Sequence, residues 1–523
     1  MTGSVLAAGL AIAVVVVASR ALSQRSGIPY PVFLVVAGAA ASFIPHLPAV
    51  HLQPRVVFLG FLPPLVYHAG LVTSPRELRA NAAPIGLGAL GLVLATTFAV
   101  AGATWAAVPS LGWAAAFILG SVVAPTDPVA ATSVLNRLGA PPEVTAILEG
   151  ESLVNDGIAL ALFSLGVAAL ATPTSIGGGL LAFLKVAGGG AAFGLGLGWV
   201  VSRIRRPLRD SASQIVVSLL VPFVAYLPAD ALGLSGVLAT LTTGLVIGQQ
   251  TVAGLAPAGR LRVAEFWEVL VFLLESVLFV LVGVQLRYII SGLAGYPPAD
   301  IAVVTALTVT VVPLVRMGWW LVVPTLRWRP EGRILDTGAV PWQERVALGW
   351  SGLRGAISLA AALSVPTAVA GSPLAARDLI IFATFCVIAV TLLGQGTSLP
   401  WLLRRLSLVG GDTERRQHAL ADRRCAEAAL RKLDEIASSD GVSDVIAETL
   451  RQVYERRLDR VRTQLGGGGG DDRGGPSLGS VQRRLLATQH EVLRQLHRDG
   501  EISFTVMREV RRELDLEHAS LEP

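Results

Sequence analysis

Charged side chains are scarce in this sequence, since only 15% of its 523 residues are Asp, Glu, Lys or Arg and 53% are hydrophobic. Soluble domains carry about 25% charged residues, so this balance excludes an ordinary soluble protein. Cysteine is rarer still, with two residues, and their different surroundings exclude a disulfide framework or a cysteine metal site. The net charge of +5 comes mostly from arginines in short loops and therefore indicates no nucleic-acid partner.

Apolar segments of about 20 residues, the length that crosses roughly 30 Å of hydrocarbon, are what the sequence has in abundance. About thirteen such segments lie at 3–19, 29–45, 56–72, 82–108, 112–136, 143–171, 176–202, 211–229, 233–248, 263–286, 300–323, 343–365 and 376–399. We therefore predict an all-α polytopic membrane protein with about thirteen transmembrane helices.

The basic residues between these segments predict the orientation of the chain. The first segment has no basic residue before it and Arg20 and Arg25 after it, the reverse of a signal peptide. With the amino terminus outside, the inner loops carry fifteen arginines and the outer loops three, as the positive-inside rule requires. We expect a multi-pass protein of the plasma or inner membrane, with its amino terminus outside and its carboxyl terminus in the cytoplasm.

The composition changes after the last segment, which divides the chain into a transmembrane domain at 1–403 and a tail at 404–523. The tail holds 21 of the 42 Lys and Arg residues and 21 of the 37 Asp and Glu residues. Its amphipathic periodicity predicts helices, and the glycine-rich stretch at 466–480 predicts a flexible linker. We interpret the tail as a helical cytosolic regulatory domain.

The stretch LEGESLVNDG at 148–157 places carboxylates inside the sixth apolar segment. An ionisable group at membrane depth costs about 2.5 kcal/mol or more, so each is a functional candidate. Residues four apart share a helix face, which groups Ser152 with Asp156 and Glu151 with Asn155. We interpret the first face as oxygen ligands for a small cation and the second as their scaffold. The other ionisable residues at this depth are Asp127, Glu149, Glu275, Lys185, Arg316 and Arg354.

The fifth segment contains the helix breakers Pro125 and Pro128, in SVVAPTDPVAATSVL at 121–135. Asp127 followed by Pro128 is typical of a helix start, with Asp as the N-cap and Pro at the first helical position. The freed backbone carbonyls near Thr126 are candidate cation ligands. We therefore expect this helix to stop and restart within the membrane.

The twelfth segment is also expected to be interrupted, because Gly352 and Gly355 flank Arg354. The fifth and twelfth segments occupy matching positions in two six-helix halves, and seven crossings between them make the halves inverted repeats. Interrupted helices at matching positions indicate a transporter site near the bilayer midplane. We predict discontinuous helices that cross with Asp127 and Arg354 at the crossing points.

Five motifs stand out along the apolar part of the chain: FLPPLVYHAGL (61–71), APTDPVAA (124–131), LEGESLVNDGIAL (148–160), FLLESVLFVLVGV (272–284) and GWSGLRGAISLAAAL (349–363). Together they resemble the monovalent cation/proton antiporters of the sodium/proton exchanger type, including the NhaP-like bacterial branch. The resemblance implies a homodimer in which a core domain moves against a dimerisation domain. It also implies a transporter without enzymatic activity or cofactor, whose partners are a monovalent cation, a proton and the lipid bilayer.

The resemblance also assigns roles to residues of the candidate site. Asp156 corresponds to the carboxylate that carries either the cation or the proton, with Ser152 and the backbone of Thr126 as ligands and Asp127 nearby. Asn155, the fifth candidate residue of the cation site, stands where electrogenic relatives have a second aspartate, which implies electroneutral exchange of Na⁺ or Li⁺ for H⁺.

Three further positions complete this assignment. Glu151 and Arg354 correspond to a structural ion pair. His68 stands where relatives commonly have Asp or Glu, and it is either a pH-sensitive modulator or a packed interface residue.

Three other functions stay open at this point. A K⁺/H⁺ antiporter would use the same site. An intramembrane aspartyl protease also needs two aspartates, for which Asp127 and Asp156 qualify, although their Thr-Asp-Pro and Asn-Asp-Gly contexts differ from the Tyr-Asp and Gly-x-Gly-Asp of such proteases. An ion channel is the third alternative.

Overall fold

The structure, a computed structural model, describes most of the chain. The described residues are 2–26, 28–44, 54–73, 85–171, 176–208, 210–251, 257–323, 340–369, 372–374, 376–409, 412–439, 444–465 and 492. They fall into two compact units, Met1–Glu414 and Arg415–Pro523. The domain boundary at 403/404 and the linker role of 466–480 stay predictions, and that linker and the helices expected after it lie outside the described ranges.

The described part of the first unit is built mainly from helices. In chain order they are α1 (Thr2–Ser26), α2 (Tyr30–Ser42), α3 (Pro54–Val72), α4 (Val93–Ala107), α5 (Trp113–Val123), α6 (Pro128–Leu138), α7 (Pro142–Ala171), α8 (Ile176–Arg205), α9 (Ser211–Ala231), α10 (Gly236–Thr251), α11 (Pro257–Val284), α12 (Leu286–Gly292), α13 (Pro298–Val322), α14 (Trp342–Trp350), α15 (Ala356–Leu363), α16 (Arg377–Val390) and α17 (Thr397–Arg405). π-Helical turns at Leu87–Leu92 and Thr391–Gly396 precede α4 and α17, and short 3₁₀ turns lie at Pro109–Leu111 and Leu293–Gly295.

A two-residue strand pair is the only β-structure in the described part of this unit. Strand β1 (Ala368–Val369) pairs antiparallel with β2 (Ser372–Pro373), with Ala368 opposite Pro373. This strand pair is not among the elements predicted from the sequence.

Within the described residues, each predicted apolar segment coincides with one helix or with consecutive helical stretches. Eight of the helical stretches within the described residues are long and apolar enough to cross a membrane. Shorter apolar helices lie at Tyr30–Ser42, Leu59–Val72 and Gly236–Gln249. The chain is thus a helical, multi-pass membrane protein, while thirteen crossings, their orientation and the inverted repeat stay predictions.

Small residues allow the helices to pack closely. Gly38 on α2 and Gly283 on α11 face each other, and a Cβ on either would collide with a backbone carbonyl of the other helix. Gly194 on α8 likewise lies against the backbone of α10 at Ala239. Close backbone approach through glycine is a common way for membrane helices to associate, since lipid removes the hydrophobic driving force between them.

Helix α18 (Asp412–Ser439) begins just before the boundary between the units. The described part of the second unit consists of α18 from Arg415 onward, α19 (Asp444–Leu465) and residue 492. Arg451 on α19 forms an ion pair with Asp434 on α18 at 2.6 Å. Within α18, Arg423 pairs with Glu427 one helical turn away. These exposed pairs contribute little individually, and they agree with a solvated helical surface.

Candidate functional site

The first helix break lies between α5 and α6, where the sequence predicts it. Helix α5 ends at Val123 and α6 begins at Pro128. The Asp127 side chain caps α6 by accepting a hydrogen bond from the Val129 backbone N–H at 2.9 Å. The predicted roles of Asp127 as N-cap and Pro128 as first helical residue are confirmed.

The second break, between α14 and α15, packs directly against the first. Helix α14 ends at Trp350 and α15 begins at Ala356. The Asp127 backbone N–H donates to the Leu353 carbonyl at 2.8 Å, which joins the two irregular segments. A Cβ on Gly355 would collide with the Asp127 carboxylate, so glycine is what allows the breaks to approach this closely.

Helix α7 holds the first break through three side chains that all contact Thr126. Ser152 Oγ donates to the Thr126 carbonyl at 2.5 Å, and Asn155 Nδ2 donates to Thr126 Oγ1 at 2.9 Å. Thr126 Oγ1 in turn donates to Glu151 Oε1 at 3.5 Å. The carbonyl of Thr126 keeps a second lone pair after accepting from Ser152.

The ion pair of Glu151 differs from the predicted one. Its carboxylate accepts hydrogen bonds from both terminal nitrogens of Arg316 on α13, Nη1 to Oε1 and Nη2 to Oε2 at 3.2 Å. The predicted Glu151–Arg354 pair is therefore wrong as a direct contact. Gly352 explains the difference, because a side chain there would occupy the space that Arg316 uses to pass the second break.

Arg354 instead contacts backbone oxygens at the two breaks. Its Nε donates to the Val123 carbonyl at 2.7 Å and its Nη1 to the Gly352 carbonyl at 2.7 Å. Carbonyls at a helix end lack an intrahelical partner, and a buried guanidinium satisfies them with charge-assisted bonds. Arg354 thus lies at the crossing, as predicted, but it supports the backbone and not the carboxylate.

A cavity of about 290 Å³ opens beside the crossing. The predicted residues Asp156, Ser152, Thr126 and Asp127 line it, as does Gly355. Asn155 is absent from the described lining and lies buried behind it with its amide on Thr126. The structure therefore brings four of the five candidate ligands to one space and places the fifth in their support.

Asp156 differs from the other carboxylates at the crossing in its contacts. Its side chain is half-buried and faces the cavity. Unlike Asp127 and Glu151, it has no hydrogen bond to protein among the contacts within the described ranges. A carboxylate with free lone pairs in a cavity can exchange one small ligand for another without breaking the scaffold.

The charges that line the cavity favour a cation. Asp127, Glu149, Asp156 and Glu275 contribute carboxyl groups, and no Lys or Arg is present in the described lining. No cluster of three or more His, Cys, Asp or Glu side chains suited to a metal occurs in the described part of the chain. A cation at Asp156 would therefore depend on hydroxyl and carbonyl oxygens as further ligands.

His68 also lines the cavity, on α3. Its ring stacks on Trp267 of α11, with centroids 5.7 Å apart and planes at 22°. Trp267 is itself fixed by donating from Nε1 to Ser218 Oγ at 3.0 Å. The histidine is thus both packed on a neighbouring helix and adjacent to the candidate ion site.

Two contacts of the site were not predicted. Arg316 was identified as a buried base, but its partner was not, and Tyr30 was not identified at all. The Tyr30 hydroxyl donates to Glu275 Oε2 at 3.1 Å. The buried position of Glu275 in the tenth apolar segment was the only sequence signal for this second contact.

Comparison with known proteins identifies the family. The model of the transmembrane sodium/hydrogen exchanger family matches residues 10–405. The chain is 35% identical to an uncharacterized Na⁺/H⁺ exchanger of Mycobacterium tuberculosis, over 98% of this chain and 95% of that protein. It is 30% identical to the Na⁺/H⁺ antiporter ApNhaP of Aphanothece halophytica, over 85% and 83%.

The fold comparison agrees with the sequence comparison. The structure of the sodium proton antiporter MjNhaP1 from Methanocaldococcus jannaschii superposes with a TM-score of 0.61 at 18% identity, covering 77% of this chain and 99% of that one. These matches agree with cation/proton antiport and leave no support for the protease alternative. The chain belongs to the sodium/hydrogen exchanger family, whose members are antiporters and not enzymes.

Proposed function

We propose that this protein exchanges Na⁺ or Li⁺ for H⁺ one for one, with Asp156 as the carboxylate that binds either ion. The observation that carries the proposal is the position of Asp156 in a cavity lined by carboxyl groups, beside two helix breaks. Ser152 Oγ and the Thr126 carbonyl lie in the same wall. Unwound carbonyls at broken helices are a recurrent type of alkali-cation ligand in transporters.

Competition for one carboxylate explains how two gradients become coupled. A metal ion and a proton each neutralise the same negative charge, so occupation by one excludes the other. Moving an uncompensated charge through the bilayer core is costly, which favours movement of the loaded site over movement of the empty site. Each cycle then carries one cation in one direction and one proton in the other.

The amide of Asn155 supports electroneutral exchange. It binds the Thr126 hydroxyl and adds no charge to the site. An exchanger that moves one net charge per cycle gains about 2.3 kcal/mol per 100 mV, roughly a fifty-fold shift in its equilibrium. We expect no such shift in the exchange equilibrium between proteoliposomes clamped at zero membrane potential and at about 100 mV. A fifty-fold shift would contradict one-for-one exchange.

The site is tested by replacing Asp156 with Asn in proteoliposomes that contain a pH-sensitive dye. We expect Na⁺ to release protons through the wild type and not through Asp156→Asn. Asp210→Asn is the matched control, because Asp210 is an exposed helix cap outside the cavity. Exchange by Asp156→Asn at the wild-type rate would contradict the assignment, and a larger response to K⁺ than to Na⁺ would favour the K⁺/H⁺ alternative.

We further propose a homodimer with an outside amino terminus and a cytoplasmic tail. Cys425 offers a direct test of orientation, since it is exposed, whereas Cys386 is partly buried. A membrane-impermeant thiol reagent should label Cys425 in everted vesicles and not in right-side-out vesicles. The opposite pattern would reverse the proposed orientation.

A further inference from the structure

Two acidic residues of α11, Glu268 and Glu275, line different cavities. They are seven residues apart, about two turns of one helix. Glu275 lines the candidate ion cavity of about 290 Å³. Glu268 lines a second cavity of about 380 Å³, together with Arg20, Tyr30 and Phe272. The pair therefore offers a comparison between two carboxylates of one helix in different electrostatic surroundings.

The Glu275 carboxylate is held in place by α2. The Tyr30 hydroxyl donates to Oε2 at 3.1 Å, and the Tyr30 ring packs on Phe272 with centroids 5.7 Å apart. Phe272 is covered by the Arg20 guanidinium at 4.8 Å from the ring centroid. Because Tyr30 occupies only one oxygen, Oε1 has no hydrogen bond among the contacts of the described residues.

A purely structural role explains this arrangement poorly. A hydrogen bond between α2 and α11 could be made by neutral side chains, whereas a carboxylate at membrane depth carries a large insertion cost. The helices are already joined by the close contact of Gly38 and Gly283. The feature that remains to be explained is an acid, oriented by a tyrosine, in the wall of the cavity that contains Asp156.

We propose that Glu275, positioned by Tyr30, is a second cation-binding carboxylate that an alkali cation occupies on its way to and from Asp156. The inference rests on the proposed function, because it assigns a further ligand position within the same cavity. Glu275 on α11 and Asp156 on α7 line the same cavity, so this cavity offers a cation two carboxylates on separate helices. Glu149 and Asp127 also line this space and add to its negative potential.

Such a role predicts an effect on apparent affinity and not on turnover. A cleft lined by one sign of charge raises the local counter-ion concentration about tenfold or more. Glu275→Gln should therefore raise the half-saturating Na⁺ concentration about tenfold, while the maximal rate per folded transporter stays within about twofold. Tyr30→Phe, which loses only the hydroxyl that orients the carboxylate, should cause a smaller shift in the same direction.

The experiment measures dye-reported exchange against Na⁺ concentration at one fixed pH in proteoliposomes. Glu268→Gln is the matched control, since it makes the same change two turns away in the other cavity, and it should behave as wild type. Glu275→Asp retains the charge, so its apparent affinity for Na⁺ should stay close to that of the wild type. This variant tests the role of the charge even if Glu275→Gln folds poorly. Thermal melting in detergent accompanies each variant.

One result would overturn the proposal, namely a half-saturating Na⁺ concentration that stays unchanged in Glu275→Gln. This holds whether or not the maximal rate falls in parallel with thermal stability. Asp156→Asn in the same assay separates this failure from failure of the proposed function. If Asp156→Asn is inactive and Glu275→Gln is normal, only the second carboxylate is wrong, whereas an active Asp156→Asn refutes the site itself.

Discussion

Removing one partner of the Glu151–Arg316 ion pair should destabilise the protein strongly. Both side chains are 1% exposed, and two hydrogen bonds connect them. Breaking a buried pair by removing one partner typically costs about 3–5 kcal/mol, because the remaining charge is left buried without compensation. We expect a cost of that order for Glu151→Gln and for Arg316→Gln.

A double-mutant cycle distinguishes this pair from the alternative that the sequence suggests. In Glu151→Gln/Arg316→Gln neither charge remains, so the combined cost should fall short of the sum of the single costs by about 2–3 kcal/mol, within the range seen for contacting residues. In Glu151→Gln/Arg354→Gln the shortfall should be smaller, because these two side chains share no hydrogen bond. The difference arises because Arg354 donates to the carbonyls of Val123 and Gly352.

The assay is reversible unfolding in mixed micelles with increasing SDS, followed by the fluorescence of the ten tryptophans. Free energies come from the same linear extrapolation for all variants, so errors of extrapolation largely cancel in the cycle. A cost below about 1 kcal/mol for Arg316→Gln would contradict the buried pair. A larger coupling of Glu151 to Arg354 than to Arg316 would contradict the arrangement of the whole crossing.

Three further predictions address single positions. Asp127→Ala should lose about 1 kcal/mol of helix-cap stabilisation, whereas Asp127→Asn should keep the cap and lose only the charge. Thermal melting therefore distinguishes the two variants, and the transport rate of Asp127→Asn reports the effect of the charge. His68→Phe keeps the stack on Trp267 and should leave the pH profile of exchange unchanged, while a shifted profile would identify His68 as a titrating modulator. The backbone N–H of Ser213 donates to Asp210 at 2.7 Å, which lowers the pKa of this exposed carboxyl. The Asp210 carboxylate therefore stabilises the folded state at pH values above its unfolded-state pKa, and this stabilisation is lost as the pH falls through the lower folded-state pKa. In Asp210→Asn, the free energy of unfolding measured over about pH 3–6 should not show this loss.

The sequence was sufficient to locate the helices and their breaks because both depend on local chemistry. Apolar length alone gave helix positions close to those observed. Pro125 and Pro128 remove backbone donors, and Gly352 and Gly355 remove side chains, so each break follows from the residues at that point. The cap by Asp127 followed from the same local reasoning.

The partners of the buried charges could not be obtained in this way. Arg316 and Arg354 are equivalent as bases in apolar segments, and the sequence gives no distance from either to Glu151. The choice depends on where Gly352 leaves space for a long side chain, which is a property of three packed segments. Tyr30 and Glu275 are separated by 245 residues, and nothing in the chemistry of a tyrosine at the start of a helix indicates such a contact.

Thr126 connects the two functions that the sequence assigns to separate faces of α7. Ser152, on the ligand face, holds its carbonyl, while Asn155 and Glu151, on the other face, bind its hydroxyl. Both faces therefore act on one residue of unwound chain, whose carbonyl is a candidate ion ligand. Since Glu151 is fixed by Arg316 and Arg316 by the Leu348 carbonyl of α14, the position of that carbonyl depends on the helix that ends at the second break. The ion pair is thus part of the geometry of the ion site, although neither of its charges lines the cavity.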